Sequence, residues 1–173
     1  MNTGVRSPLI PATVGACALA TPYGITRIST TNQIAVVSLA ASGRLSIYDN
    51  NGGCISHFAG ATYPALNAGT PTGVTYHAPT NKLLITQATT HQIWAMNLDG
   101  TGNVKIFDSP TIITTPRTIT TDAAGNIYVA SIGTDTIEKL TWSGTGLAVR
   151  ATSVPFIGTQ VLSQNVTSIS VIE

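Results

Sequence analysis

Three segments of the chain repeat one another. They start at Pro22 ("PYGITRISTTNQIAVVSLAASGRLSIYDNNGG"), Pro71 ("PTGVTYHAPTNKLLITQATTHQIWAMNLDGTG") and Pro116 ("PRTITTDAAGNIYVASIGTDTIEKLTWSGTG"), a period of about 45–50 residues. A fourth start, "NVTSISVIE", follows at Asn165. Ile25, Val74 and Ile119 hold one phase, with Asn32, Asn81 and Asn126 after them. Leu45, Ile93 and Ile137 hold another, with Gly52, Gly100 and Gly144 after those. Such a repeat constrains the fold more than composition does, because each copy has to pack against the next.

Within a copy, apolar and polar residues alternate in four short runs rich in β-branched side chains. In the first these are "GITRIS", "QIAVVSL", "RLSIYD" and "CISHFAG"; in the second, "GVTYHA", "KLLITQA", "QIWAMNL" and "VKIFDS". This is the pattern of half-buried strands, and Asn51-Gly52 and Asp99-Gly100 are hairpin turns by type. A four-stranded unit at this period is a propeller blade, and blades stack face to face around a channel lined by their first strands. The expected fold is therefore all-β and propeller-like, one domain over residues 1–173. Blade 1 covers 22–70, blade 2 covers 71–115 and blade 3 covers 116–164. Residues 1–21 form a terminal strand and blade junction, and 165–173 the first strand of a further blade.

The two part-blades resemble each other. Residues 6–26 align with 150–170, Arg6 falling on Arg150, Pro11 on Pro155 and Ile25 on Ile169. Three blades are too few for a ring of about four to eight, so apolar faces or strand edges are left open. The expected resolution is assembly with copies of the same chain through the terminal strands: Pro8, Leu9 and Ile10 at the head, Val166, Ile169, Val171 and Ile172 at the tail. The contact would close as a ring, propagate head to tail, or add one chain's strand to another's edge. A ring closed within one chain, head and tail sharing a makeshift fourth blade, and a piece of a longer propeller are the alternatives.

Charge narrows the partners. Net charge is +1 and only 9% of residues are charged, with the basic ones scattered, so nucleic acid and anionic membrane are not expected. No apolar run reaches the roughly 18 residues of a membrane span. "VGACALA" behind Arg6 looks like a signal-peptide core, but two prolines interrupt it, and it is read as mature chain. A surface with so little charge repels its neighbours weakly, which favours association. Composition also suggests an extracellular or cell-surface setting.

The third copy carries a more specific likeness. "TDAAGNIYVASIGTDTIEKLTWSGTG" resembles an NHL-type propeller repeat through Asp122, Gly125, Asn126, Ile127, Tyr128, Val129, Ala130 and Ile137. The first two copies resemble it more loosely, with Ile28 and His77 in the place of Asp122. The resemblance covers residues 22–173. It implies the propeller fold and no particular activity, since this repeat serves many roles.

Residues that could carry chemistry are few. His57, His77 and His91 fall on different strands, so no metal site is expected. Asp49 and Asp99 sit where short polar side chains cap turns. Asp122 ends a channel-lining strand. Propeller hydrolases of the gluconolactonase kind hold a divalent cation with Glu, Asn and Asp, and that analogy would make Asp122 a ligand. With Ile28 and His77 as its counterparts, a turn role is expected instead. There is no nucleophile elbow, and "GTG" at 100–102 and 144–146 reads as hairpin. Trp94 and Trp142 are expected to pack between blades rather than stack on sugars. The "NVT" sequon at 165–167 reads as a chance match. Cys17 precedes a first strand and Cys54 follows a hairpin at the opposite end of the blade, roughly 20 Å away. A bridge needs Cα atoms within about 7 Å, so none is expected between them, and one would count against the strand order too.

The function expected is a non-catalytic structural module that assembles with itself, without cofactor or metal. A carbohydrate- or peptide-binding propeller comes second, with exposed aromatic side chains at one face. A metal-dependent gluconolactonase-like hydrolase comes third.

Overall fold

The computed structural model describes residues 9–10, 17–39, 42–152, 154–157 and 168–171. Among these the strands run in chain order as β1 (Pro22–Ile28), β2 (Gln33–Ser38), β3 (Arg44–Tyr48), β4 (Cys54–Ala59), β5 (Pro71–His77), β6 (Lys82–Gln87), β7 (Gln92–Asn97), β8 (Val104–Asp108), β9 (Pro116–Thr121), β10 (Ile127–Ser131), β11 (Thr136–Thr141) and β12 (Val149–Arg150). They form three four-stranded antiparallel sheets, β1-β2-β3-β4, β5-β6-β7-β8 and β9-β10-β11-β12. One short helix, α1 (Pro64–Asn67), joins the first sheet to the second. The chain is all-β and propeller-like, one sheet per sequence repeat.

The turns explain the repeat. Gly52, Gly100 and Gly144 all have positive φ, at the hairpins between third and fourth strands. Asn32 and Asn81 hold the left-handed position that closes the first hairpin of their blades, φ 57° and 54°. In blade 3 that position belongs to Gly125, φ 82°, and Asn126 comes one residue later. The reason is a shorter hairpin: Thr121 pairs with Ile127 where its counterpart Tyr76 pairs with Leu83. The sequence register therefore slips by one at Asn126.

Two apolar cores lie between the sheets. Ile28, Val37, Leu45 and Ile47 of blade 1 meet Val74, Leu83, Ile85 and Met96 of blade 2. Leu84 and Ile93 on the other side of blade 2 meet Ile119, Ile127, Val129 and Leu140 of blade 3. Each blade thus shows one face to its predecessor and the opposite face to its successor. The first strands come close at Gly24 and Gly73. A Cβ on Gly24 would lie 2.9 Å from the Val74 backbone nitrogen, and one on Gly73 2.7 Å from the Arg117 carbonyl oxygen. Glycine is needed where backbones approach so closely. Blade 3 has Thr118 at the same position.

The two outer faces are partly covered by residues flanking the three blades. On blade 1, Cys17 packs on buried Val36 and Tyr48, with Ile10, Leu19 and Ile34 around them. On blade 3, Phe156 stacks edge-on against Tyr128, and Ile157, Ile169 and Val171 line a recess with Thr120, Tyr128 and Ile137. The fourth strand of blade 3 is broken. Among the described residues, pairing runs to Ala151, whose N–H donates to the Lys139 carbonyl, and resumes at Ile157, whose N–H and C=O both bond to Ile137. Pro155 lies in the gap and has no N–H to give.

The expectation that Cys17 and Cys54 stay apart is overturned. They form a disulfide, with Cα atoms 5.8 Å apart. The strand order nevertheless stands, so the failure is in linking the two. That expectation sets Cys17 at the end of the blade where β1 begins. In fact the chain crosses the blade face between them: the Tyr48 hydroxyl, at the far end of β3, donates to the Cys17 carbonyl. At roughly 3.3 Å per extended residue, the stretch from Cys17 to Pro22 covers most of the blade's length.

Candidate functional site

The blades converge where their first strands begin, and each enters through the same dipeptide: Thr21-Pro22, Thr70-Pro71 and Thr115-Pro116. Each threonine carbonyl accepts from the backbone N–H that follows its second strand: Leu39 to Thr21 at 3.1 Å, Ala88 to Thr70 at 2.8 Å and Ile132 to Thr115 at 3.4 Å. Thr21 and Thr115 both have φ 52°, a conformation a β-branched residue adopts only under strain of about 1–3 kcal/mol. The three repeats of this junction enclose a depression of about 220 Å³, with Leu39, Ala88 and Ile132 in its wall and Tyr23, Thr72 and Arg117 at its polar side. Arg117 Nη2 donates to the Tyr23 hydroxyl at 3.0 Å, and the guanidinium lies 5.4 Å from the Tyr23 ring centre. Among the described residues no carboxylate pairs with Arg117.

Below the mouth, an axial cavity of about 220 Å³ is lined by Tyr23–Ile25 of β1, Thr72–Val74 of β5, Thr118 and Ile119 of β9, and Ser168 and Ile169 of the tail. Among the described residues the Thr118 hydroxyl is buried without a partner. This cavity offers hydroxyls and apolar walls rather than a pair of groups able to exchange a proton.

The histidines stay apart. His57 on β4 shares a 3.0 Å hydrogen bond with Ser46; burial, and then the Arg44 charge, hold it below its ordinary pKa. His77 ends β5, fully buried, against Trp142 with ring centres 5.7 Å apart. Its Nε2 lies 3.0 Å from the Gly125 carbonyl and its Nδ1 2.8 Å from the Thr80 hydroxyl. A carbonyl only accepts, so Nε2 carries the proton and Nδ1 accepts from Thr80. Burial pushes the His77 pKa down, and the Gly125 hydrogen bond opposes this in part. His91 Nδ1 accepts from the Thr115 N–H at 2.9 Å.

The acids are occupied in turns. Asp49 Oδ1 accepts from the N–H groups of Asn51 and Gly53, and Asp99 Oδ1 from that of Thr101. Asp122 accepts from the Asn126 backbone at 2.8 Å, the Asn126 amide at 2.7 Å and the Tyr128 hydroxyl at 3.1 Å. Burial would raise its pKa, but these hydrogen bonds outweigh it and leave the carboxyl below its usual range. Glu138 is buried on β11 and gripped by Arg150, at 2.6 Å and 2.8 Å. Among the described residues no three His, Cys, Asp or Glu side chains gather as a metal site. Trp94 packs beside the core between blades 1 and 2, and Trp142 lies in that between blades 2 and 3.

Of the residues expected at the assembly ends, Leu9 is 52% exposed, its carbonyl oxygen packed so tightly on Gly52 that a Cβ there would lie 1.8 Å away. Ile10 faces blade 1, and Ile169 and Val171 face blade 3. Pro8, Val166 and Ile172, and the sequon at 165–167, lie outside the described residues. The Thr-Pro junction was present in the sequence three times and is the signal that would have located the mouth. Nothing in the sequence marks the pairing of Arg117 with Tyr23, which joins blades 1 and 3.

Three stacked four-stranded sheets with converging first strands define a β-propeller-type protein. Its likeness to solved structures is of that kind. A chain in the crystal structure of a nidogen/laminin complex matches at 20% identity and TM-score 0.59, over 75% of this chain and 47% of that one. Virginiamycin B lyase from Staphylococcus aureus matches at 21% identity and TM-score 0.58, over 78% of this chain and 41% of the lyase. A catalytically inactive variant of that enzyme, solved with quinupristin, gives the same values. The chain spans less than half the length of these proteins, and at such identity the likeness establishes the fold alone. Neither a family model nor a curated protein matches the sequence, the NHL-type repeat included.

Proposed function

We propose that this is a non-catalytic propeller module that works by assembling with a second copy of itself, the outer face of blade 1 meeting the outer face of blade 3. One comparison carries the reading. Ile25 and Val74 hold the same repeat position, on the face a blade turns to its predecessor. Val74 is 4% exposed under blade 1, whereas Ile25 is 67% exposed. A face built to be covered is left open near the axis. On the opposite side of the arc, Val154 and Phe156 are exposed as well. In the propeller chains it resembles, the matching part is less than half of the whole. Within that fold, the NHL-type pattern of residues 122–137 remains our reading of the repeat. The disulfide supports an extracellular or cell-surface setting, since such bonds persist in oxidising compartments.

The test is sedimentation of the full chain over a range of concentrations, beside Ile25→Lys and a control, Val104→Lys. Val104 is an exposed side chain on the edge strand β8, away from both open faces. The expected result is reversible association that Ile25→Lys abolishes and Val104→Lys leaves intact. A full chain that stays monomeric throughout, or an Ile25→Lys variant that associates normally, overturns the reading.

A further inference from the structure

We infer that the Cys17–Cys54 disulfide is a latch: it holds residues 17–20, the leader into β1, over the outer face of blade 1, and its reduction uncovers that face for the second copy. The inference rests on the assembly reading for its partner, though not for the movement itself.

The covered surface is a docking face by repeat position. Ile34, Val36 and Tyr48 correspond to Leu83, Ile85 and Met96, which are fully buried in the core between blades 1 and 2. On blade 1 the predecessor's place is taken by Ile10, Cys17 and Leu19. These segments cover the part of the face over β2–β4, and Ile25 on β1 continues it into solvent. The face that fits there is the one a blade turns to its successor. Among the described residues, blade 3 is the one whose successor-facing side meets no other blade, carrying only Phe156, Ile157, Ile169 and Val171, which is why the occupant is a second copy rather than an unrelated partner.

The bond is placed to be opened from outside. Cys54 is exposed on its edge strand while Cys17 is fully buried. A dithiol reductant would attack Cys54 Sγ as a thiolate. The bond to Cys17 breaks, its electron pair leaving on Cys17 Sγ, which takes up a proton. Ser56's carbonyl oxygen, 3.3 Å from that sulfur, is the acceptor for the new thiol. The reductant's second thiol then displaces Cys54, closing the reductant's own disulfide and releasing Cys54 as a thiol; two electrons and two protons pass to the protein. Among the described residues, what remains is the Tyr48 hydrogen bond to the Cys17 carbonyl and the contacts of Ile10 and Leu19.

Two measurements test it on the full chain, oxidised and after treatment with dithiothreitol, with Cys54→Ser as a permanently open form. Hydrogen exchange should quicken in residues 17–20 and 45–48 in the reduced and Cys54→Ser proteins while β5–β7 stay protected. Sedimentation should show association about tenfold tighter or more in both, the gain expected from uncovering side chains the size of Val36 and Tyr48. If residues 17–20 keep their protection after reduction, the latch is wrong whatever the assembly does. If they open but oxidised and reduced protein associate equally, the gating is wrong and the assembly reading stands. If they open and neither form associates, the occupant is wrong, and with it the assembly reading.

Discussion

Glu138 occupies a position on β11 between Thr136 and Leu140, on the face that meets blade 2. A carboxylate is tolerated there because Arg150, one strand out, supplies two donors and Thr136 a third at 3.3 Å. Removing the cation strands a buried charge, so Arg150→Met should cost about 3–5 kcal/mol, read as a fall in the urea midpoint. The double variant Glu138→Leu with Arg150→Met should recover most of that; a double variant as unstable as the single one would mean that Arg150 matters through contacts other than Glu138. His77 predicts the pH response. Its pKa is lower folded than unfolded, so the unfolded chain binds the proton more readily. Stability is then full above the ordinary histidine value of about 6.5 and falls as pH drops below it. His57 acts in the same direction. The urea midpoint should decline from neutral to mildly acid solution, and less steeply in His77→Gln; a midpoint flat over that window contradicts it.

At the scale of elements, the strands and their order were legible in the sequence, because a period of two residues inside a period of one blade leaves little else for Val, Ile and Thr to do. Less legible was whatever depends on a chain segment between strands. Cys17 is the clearest case: spacing gives its distance from β1 along the chain, and only the path of residues 17–21 gives its place in space. Asn126 is a smaller one, where a hairpin one residue shorter moved the left-handed position to Gly125. The site was less legible again, since Arg117 and Tyr23 pair across a blade boundary. The leader's bridge should matter to stability as well as to docking. Closing a loop over a separation of 37 residues is worth roughly 3–4 kcal/mol through the unfolded chain. Cys17→Ser with Cys54→Ser should lower the urea midpoint accordingly, and an unchanged midpoint would show that the leader is a passenger.

For the whole molecule, three stacked sheets make two inter-blade cores, and blade 2 alone shares in both. Every residue of β5 is buried. In such a stack stability is a sum of neighbour contacts, so native-state hydrogen exchange should be slowest in β5–β7 and faster in both outer blades. Uniform protection would instead mean that the leader and tail seal their faces as well as a blade does.

Gly24, Gly73 and Thr118 carry a consequence for how such a chain can grow. A duplicated copy of residues 71–115, inserted after Thr115, would find glycine at each backbone approach and add a blade with no steric cost at the axis. A copy placed after blade 3 would meet the Thr118 side chain where the others leave room. One methyl and one hydroxyl thus favour one route of growth over another: a blade inserted before Thr118 keeps the close approach of first strands, and one placed after it has to stand further off.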